Sequence, residues 1–206
     1  AHDEARINAA AQAFMERTSV PGLAIGVVTP AGTQVLFYGV ASKETGAKVD
    51  EHTLFEIGSI SKTFTVALAA YAAETGAFRW EDPASRHVPE LKGSHLDQVS
   101  LLNLATHTTG GMPLQLPGDV KTNADLIAYF RNWTPPSAPG ATRTYANPSI
   151  GLLGVATARA LKGSFTELAR DKVFKPLGLT HTFYDVPQAE RQNYAQGHRS
   201  EEHTSE

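Results

Sequence analysis

Ser59 and Lys62 stand three residues apart in Phe55-Glu56-Ile57-Gly58-Ser59-Ile60-Ser61-Lys62-Thr63-Phe64, where a helical pattern begins. On a helix that spacing makes two side chains neighbours, with Cβ atoms about 5–6 Å apart. A hydroxyl at the helix N-terminus also meets the positive end of the dipole, which favours a developing alkoxide. An amine beside it accepts the hydroxyl's proton or stabilises its anion, provided burial or a second cation tunes the amine. Ser-x-x-Lys alone is weak, because it equally describes an N-cap Ser followed by a solvated Lys. The second group is Tyr145-Ala146-Asn147, in a polar stretch just before Pro148. A phenol with a free pKa near ~10 becomes a base only when a nearby cation stabilises its phenolate. Each unit of lowering corresponds to ~1.36 kcal/mol, so two units is a modest demand on a close cation. Asn147 can then donate to a substrate amide carbonyl. Taken alone, the same residues read as a packed Tyr and an Asn capping the next helix.

These groups need elements to hold them. Asp3 to Thr18 places Ile7, Ala10, Ala11 and Phe14 at helical spacing, and Pro21-Gly22 ends that pattern. Gly22 to Val28 alternates, with Leu23, Ile25 and Val27 on one side; Pro30-Ala31-Gly32 supplies a turn, and Thr33 to Val40 resumes a strand, predicting a hairpin. Ser61 to Thr75 is a helix, with Gly76 where φ turns positive. Ser100 caps Leu101 to His107, and Gly110-Gly111 is expected to close it. Asn123 is expected to cap Ala124 to Asn132. Trp133 to Gly140 holds three prolines and is a loop. Pro148 to Lys162 is an apolar helix stopped by Gly163, and Ser164 opens another running toward Phe174. The order is two strands, then mostly helices.

Ser59-Ile60-Ser61-Lys62 followed by Tyr145-Ala146-Asn147 resembles the class C serine β-lactamases, the cephalosporinases. Thr53-Leu54-Phe55-Glu56-Ile57-Gly58, Leu101-Leu102-Asn103-Leu104-Ala105-Thr106, Gly110-Gly111-Met112-Pro113-Leu114-Gln115, Ser149-Ile150-Gly151-Leu152 and Val173-Phe174-Lys175-Pro176-Leu177-Gly178-Leu179 look like that family's segments in the same order, over Ile7 to His198. The resemblance implies an α/β (α+β) β-lactamase/transpeptidase-like fold with a sheet lobe (1–57) and a mainly helical lobe (58–198). It makes Ser59 the nucleophile that opens the β-lactam carbonyl of cephalosporins and penicillins. Lys62 and Tyr145 become the proton-transfer pair, and the resemblance does not say which is the acylation base. Gln115 and Asn147 fall at positions that hydrogen-bond the substrate's amide side chain. It further implies no cofactor or metal, a small-molecule β-lactam as the only partner, a monomer, a periplasmic location and a role in antibiotic resistance. A D-Ala-D-Ala peptidase or serine esterase of the same superfamily is the nearest rival.

The family's third motif, Lys-Thr-Gly, is missing: Lys62-Thr63 precedes Phe64, and Lys121-Thr122 precedes Asn123. The resemblance places the second oxyanion donor on that strand, and loss of one such donor costs ~10²–10³ in rate. The tail RSEEHTSE, residues 199–206, is what AGATCGGAAGAGCACACGTCTGAA encodes, a string resembling a sequencing adapter. Both features set the expectation of a C-terminally truncated, incomplete domain. Such a chain is expected to be inactive and to fold poorly, its hairpin left with an open edge and an exposed apolar face.

Composition narrows the alternatives. Among 206 residues the net charge is −3, with no basic run to meet nucleic acid. Val66 to Ala73, the longest weakly polar stretch near the middle, is far shorter than the ~18–20 residues of a membrane helix. Cys is absent, which excludes disulfides and a thiol nucleophile. The eight His show neither His-x-x-x-His nor His-Glu-x-x-His, disfavouring a metallo-β-lactamase. Asn147-Pro148-Ser149-Ile150-Gly151 lacks the first Gly of a nucleophile elbow. His107, in Thr-His-Thr-Thr-Gly-Gly, reads as structural, and Trp80 and Trp133 as packing residues.

Overall fold

The computed structural model describes residues 3–198, so the adapter-like tail lies outside the described residues. Contacts group the chain into two compact units, one running to Glu56 and taking up again from Asp185, the other Ile57–Tyr184. From Asp185 the chain returns to its N-terminal unit.

In the first unit, α1 (Glu4–Thr18) ends at Ser19, which turns left-handed at φ 56°. Strands β1 (Gly22–Thr29) and β2 (Gly32–Gly39) pair antiparallel from Gly22 opposite Gly39 to Thr29 opposite Gly32. Side-chain period 2 gives the hairpin two faces. Leu23, Ile25, Val27, Gln34, Leu36 and Tyr38 point to the covered one, where the Tyr38 hydroxyl donates to Asn8 Oδ1 of α1 at 2.6 Å. The other face leaves Val28 80%, Val35 49% and Phe37 37% exposed, and no third strand pairs with either edge among the described residues. The hairpin thus has the open edge and exposed apolar face expected from the sequence. Leu54 hydrogen-bonds with the returning chain through Asn193 O and Ala195 N–H, and the Tyr194 hydroxyl bonds the Glu56 carboxylate.

The second unit is helical: α2 (Ser61–Glu74), α3 (Ala84–His87), α4 (Leu101–Thr106), α5 (Asn123–Asn132), α6 (Asn147–Ala160) and α7 (Phe165–Ala169), the last continued by a π-helical turn, Arg170–Phe174. Its main core joins Ala69 and Ala72 of α2, Leu101 and Leu104 of α4, Phe130 of α5, and Ile150, Leu153 and Ala156 of α6. Each fully buried Leu or Phe there is worth about 1.5–3 kcal/mol in transfer free energy. Trp133 is buried in that core and Trp80 packs partly against it. A smaller cluster sets Leu68 against Ala169, Val173 and Phe174. Short helical turns lie between residues 84 and 98, which the polar, Pro-interrupted sequence does not announce, and the first of them, α3, is pinned by Asp82. This buried carboxylate accepts from the Arg79 N–H at 3.0 Å, Arg86 at 2.7 Å and the His87 ring at 2.9 Å. Burial opposes its ionisation, but those donors outweigh the penalty and hold its pKa below the usual carboxylate range.

Four helix-end assignments need correction. α4 is closed by His107 at φ 58°, not by Gly110-Gly111. α5 is capped by Thr122, whose hydroxyl accepts from Asp125 N–H while Asp125 bonds back, a capping box that makes Asn123 the first helical residue. α6 ends into Lys162 at φ 57°, ahead of Gly163. At its start Ala146 is the cap residue and Asn147 already lies in the helix, so the Asn side chain does no capping.

Gly110 is needed elsewhere. At φ 103° a Cβ there would meet Ser137 O at 2.4 Å, where the Trp133-to-Gly140 loop crosses and Ser137 N–H donates to Gly110 O. Gly110→Ala is expected to cost about 2–4 kcal/mol, from left-handed strain plus a backbone clash. Urea unfolding measures it, with Gly118→Ala, whose added Cβ meets nothing within 4 Å, as the control that moves little.

Candidate active site

A 3₁₀ turn, Gly58–Ile60, feeds directly into α2, and Gly58 takes φ 54° to start it. Ser59 therefore sits one residue short of the helix cap Ile60, and no side-chain cap bond is made at either helix start. Its hydroxyl is committed instead to Lys62, whose Nζ donates to Ser59 Oγ at 2.9 Å. That pairing separates the chemical reading of Ser-x-x-Lys from the capping one. Fourteen residues of α2 stand behind the pair, their dipole favouring negative charge near Ser59.

Tyr145 arrives from the loop before α6. Lys62 Nζ lies 5.0 Å from its ring centroid. Hydrogen bonding first by Lys62 and then by Ser59, with smaller help from the charges of Lys62 and Arg143, holds the Tyr145 phenol below its ordinary range; lost hydration opposes them. The three side chains thus meet. Arg143, two residues upstream on the same loop, is a cation that the motif reading did not single out; its position just before Tyr145 is the only sequence signal it leaves.

Asn147 lines a cleft of 760 Å³ together with Ser59, Lys62, Thr65, Gly154 and Phe165. Its Oδ1 is buried without a hydrogen-bond partner among the described residues, an acceptor that costs about 1–3 kcal/mol unless something supplies a donor. Gln115 is exposed and lines an adjoining cavity of 440 Å³, which shares Asn147 and Gly151 with the first. The two amides are tied through the backbone, because Asn147 N–H donates to Leu114 O at 2.9 Å. Gln115 does not line the cleft that holds Ser59. α6 is anchored below this site by buried Ser149, whose hydroxyl donates to Leu104 O at 2.6 Å.

With hydroxyl and amine at the start of α2, and lowered phenol and an amide acceptor unpaired among the described residues at the start of α6, the arrangement is that of a nucleophile with a proton-transfer pair. The Beta-lactamase family model matches residues 7–205. The chain is 45% identical over 195 residues to a β-lactamase of Lysobacter lactamgenus, covering 95% of this chain and 51% of that protein. A β-lactamase of Pseudomonas fluorescens is 43% identical, over 93% of this chain and 54% of that one. The crystal structure of a beta-lactamase/D-alanine carboxypeptidase from Pseudomonas syringae superposes with a TM-score of 0.91 at 41% identity, covering 96% of this chain and 55% of that chain. The chain belongs to the beta-lactamase family and carries the corresponding part of its mixed α/β fold. It spans about half the length of the curated relatives it matches.

Proposed function

We propose that these residues serve a class C serine β-lactamase, hydrolysing penicillins and cephalosporins through an acyl-enzyme on Ser59. The observation that carries the reading is the 2.9 Å Lys62–Ser59 bond beside a Tyr145 phenol made more acidic by the same ammonium. Lys62 donates to Ser59 Oγ, so the group available to take the serine proton is the Tyr145 phenolate. Oγ then bonds to the lactam carbonyl carbon, the ring C–N bond breaks, and the proton passes to the departing nitrogen. In the second half Tyr145 takes a proton from water as it attacks the ester, and Ser59 is released with its proton restored. Asn147 and Gln115 orient the amide side chain. Monomeric state and periplasmic location belong to the same proposal.

The second reading, a D-Ala-D-Ala peptidase, is favoured by the dual description of the Pseudomonas syringae structure. The two differ in deacylation. A chimera joining residues 1–198 to the remaining half of the Lysobacter lactamgenus relative supplies a complete domain for the test. Incubated with penicillin and followed by mass, it is expected to show product and no lasting adduct; a persistent adduct selects the peptidase. The 206-residue polypeptide itself, having no Lys-Thr-Gly, is expected to give no measurable nitrocefin turnover, and turnover by the purified chain would refute that part.

A further inference from the structure

His107 holds Tyr145 from both sides. Its backbone carbonyl accepts the Thr144 N–H at 2.8 Å, and its side-chain Nδ1 accepts the Ala146 N–H at 3.1 Å. The imidazole also lies against the Tyr145 ring, centroids 4.6 Å apart at 33°. One residue thus fixes the Arg143–Thr144 peptide, the Tyr145–Ala146 peptide and the face of the Tyr145 ring. Its own position is constrained: it closes α4 at φ 58° and is only 6% exposed. Thr108 extends the same template, its carbonyl accepting Gly140 N–H at 2.8 Å while its hydroxyl is held by Asn103.

We propose that His107 is a positioning residue for Tyr145, a neutral imidazole that clamps residues 144–146 so that the phenol stays against Lys62 and Ser59. This rests on the hydrolase reading for its catalytic meaning, though the clamp itself is a matter of geometry. The neutral ring is required, because Nδ1 can accept from Ala146 only when the ring proton is on Nε2. A doubly protonated ring would set one N–H against another. Burial first, then the charges of Arg143 and Lys62, push the His107 pKa below its usual value, outweighing the opposing bond from Ala146. A His whose folded pKa is depressed contributes its full stability above the unfolded value near ~6.5; that contribution is lost as pH falls from there through the lower folded pKa, where the ring gains its second proton and the clamp opens. The groups facing Tyr145 are then Lys62 and Ser59 from the start of α2, Arg143 from its own loop, and His107.

Two substitutions divide the clamp. His107→Asn keeps an acceptor near Nδ1 and suits the left-handed backbone, but has no aromatic ring. His107→Phe keeps the ring and loses the acceptor, leaving the Ala146 N–H buried and unpaired. Tyrosines labelled at ¹³Cζ are titrated by NMR in the chimera, with Tyr145→Phe identifying the resonance. The expected result is a Tyr145 midpoint below that of an ordinary phenol, moved up by about one unit in His107→Phe and largely kept in His107→Asn. The remaining tyrosines are unmoved, which separates lost positioning from lost folding. In the chimera, His107→Phe is expected to lower kcat about 10- to 100-fold with KM little changed. An ordinary Tyr145 midpoint in the unaltered chimera overturns the inference, as does one indifferent to both substitutions or kept by Phe and lost by Asn. Should chimera turnover survive Ser59→Ala, the hydrolase reading fails while the titration still decides the clamp. Should turnover need Ser59 while Tyr145 ignores residue 107, the clamp alone fails.

Discussion

In the chimera, Ser59→Ala is expected to lower nitrocefin turnover by on the order of 10⁴–10⁶-fold, the loss seen when a covalent nucleophile is removed from a hydrolase. The size follows from what is left behind. Lys62 would keep its place on α2 and Tyr145 its loop, but no oxygen would stand where the 2.9 Å bond now ends. Without it the lactam meets only water, aided by whatever oxyanion donors and side-chain contacts remain. Ser59 is exposed and makes no cap bond, so the substitution removes no packing and no helix cap. Stability should change little, which makes unfolding an unsuitable explanation for lost rate. Turnover within tenfold of the unaltered chimera would remove Ser59 from the chemistry.

Tyr145→Phe should produce the next largest loss, about 10²–10⁴-fold in kcat, the usual worth of a placed acid–base group. The ring would still pack on His107, so the change isolates the hydroxyl. Its pH dependence gives a second handle. Because Lys62 and Ser59 hold the phenol below ~10, the phenolate fraction rises with pH from a lower starting point than a free tyrosine allows. Turnover on the acid side should therefore climb with pH and level off below the ordinary tyrosine range, and this limb should vanish in Tyr145→Phe. A limb that persists unchanged in the variant assigns the titration to another group. Lys62 is the neighbour to examine next, since it contacts both partners.

Several elements were legible because their signals are local. The period-3.6 pattern from Ser61, the alternation of Leu23, Ile25 and Val27, and the Ser100 cap each depend on residues within a turn of one another, and each element formed where read. Helix ends were harder. His107 adopts positive φ although Gly110 stands close by, because Gly110 is required where the Trp133-to-Gly140 loop crosses its backbone; Lys162 adopts it just ahead of Gly163. A local rule that assigns the nearest glycine to the helix end cannot see a loop arriving from more than twenty residues away.

The candidate site divides in the same manner. One helical turn is enough to bring Ser59 and Lys62 together, so their pairing was written in the spacing Ser-x-x-Lys. The chain alone also carried the family segments in their order, and with them the identity of Tyr145, Asn147 and Gln115 as candidates. It could not say that Gln115 lines a cavity beside the Ser59 cleft, nor that Asn147 Oδ1 is left unpaired inside. Nor could it show that His107, 38 residues before Tyr145, accepts the N–H groups of both Thr144 and Ala146. Those facts arise only when α4, its trailing loop and the start of α6 pack against one another. Hydrogen bonds across such distances have no periodicity to announce them, because what fixes their partners is the packing of the core beneath.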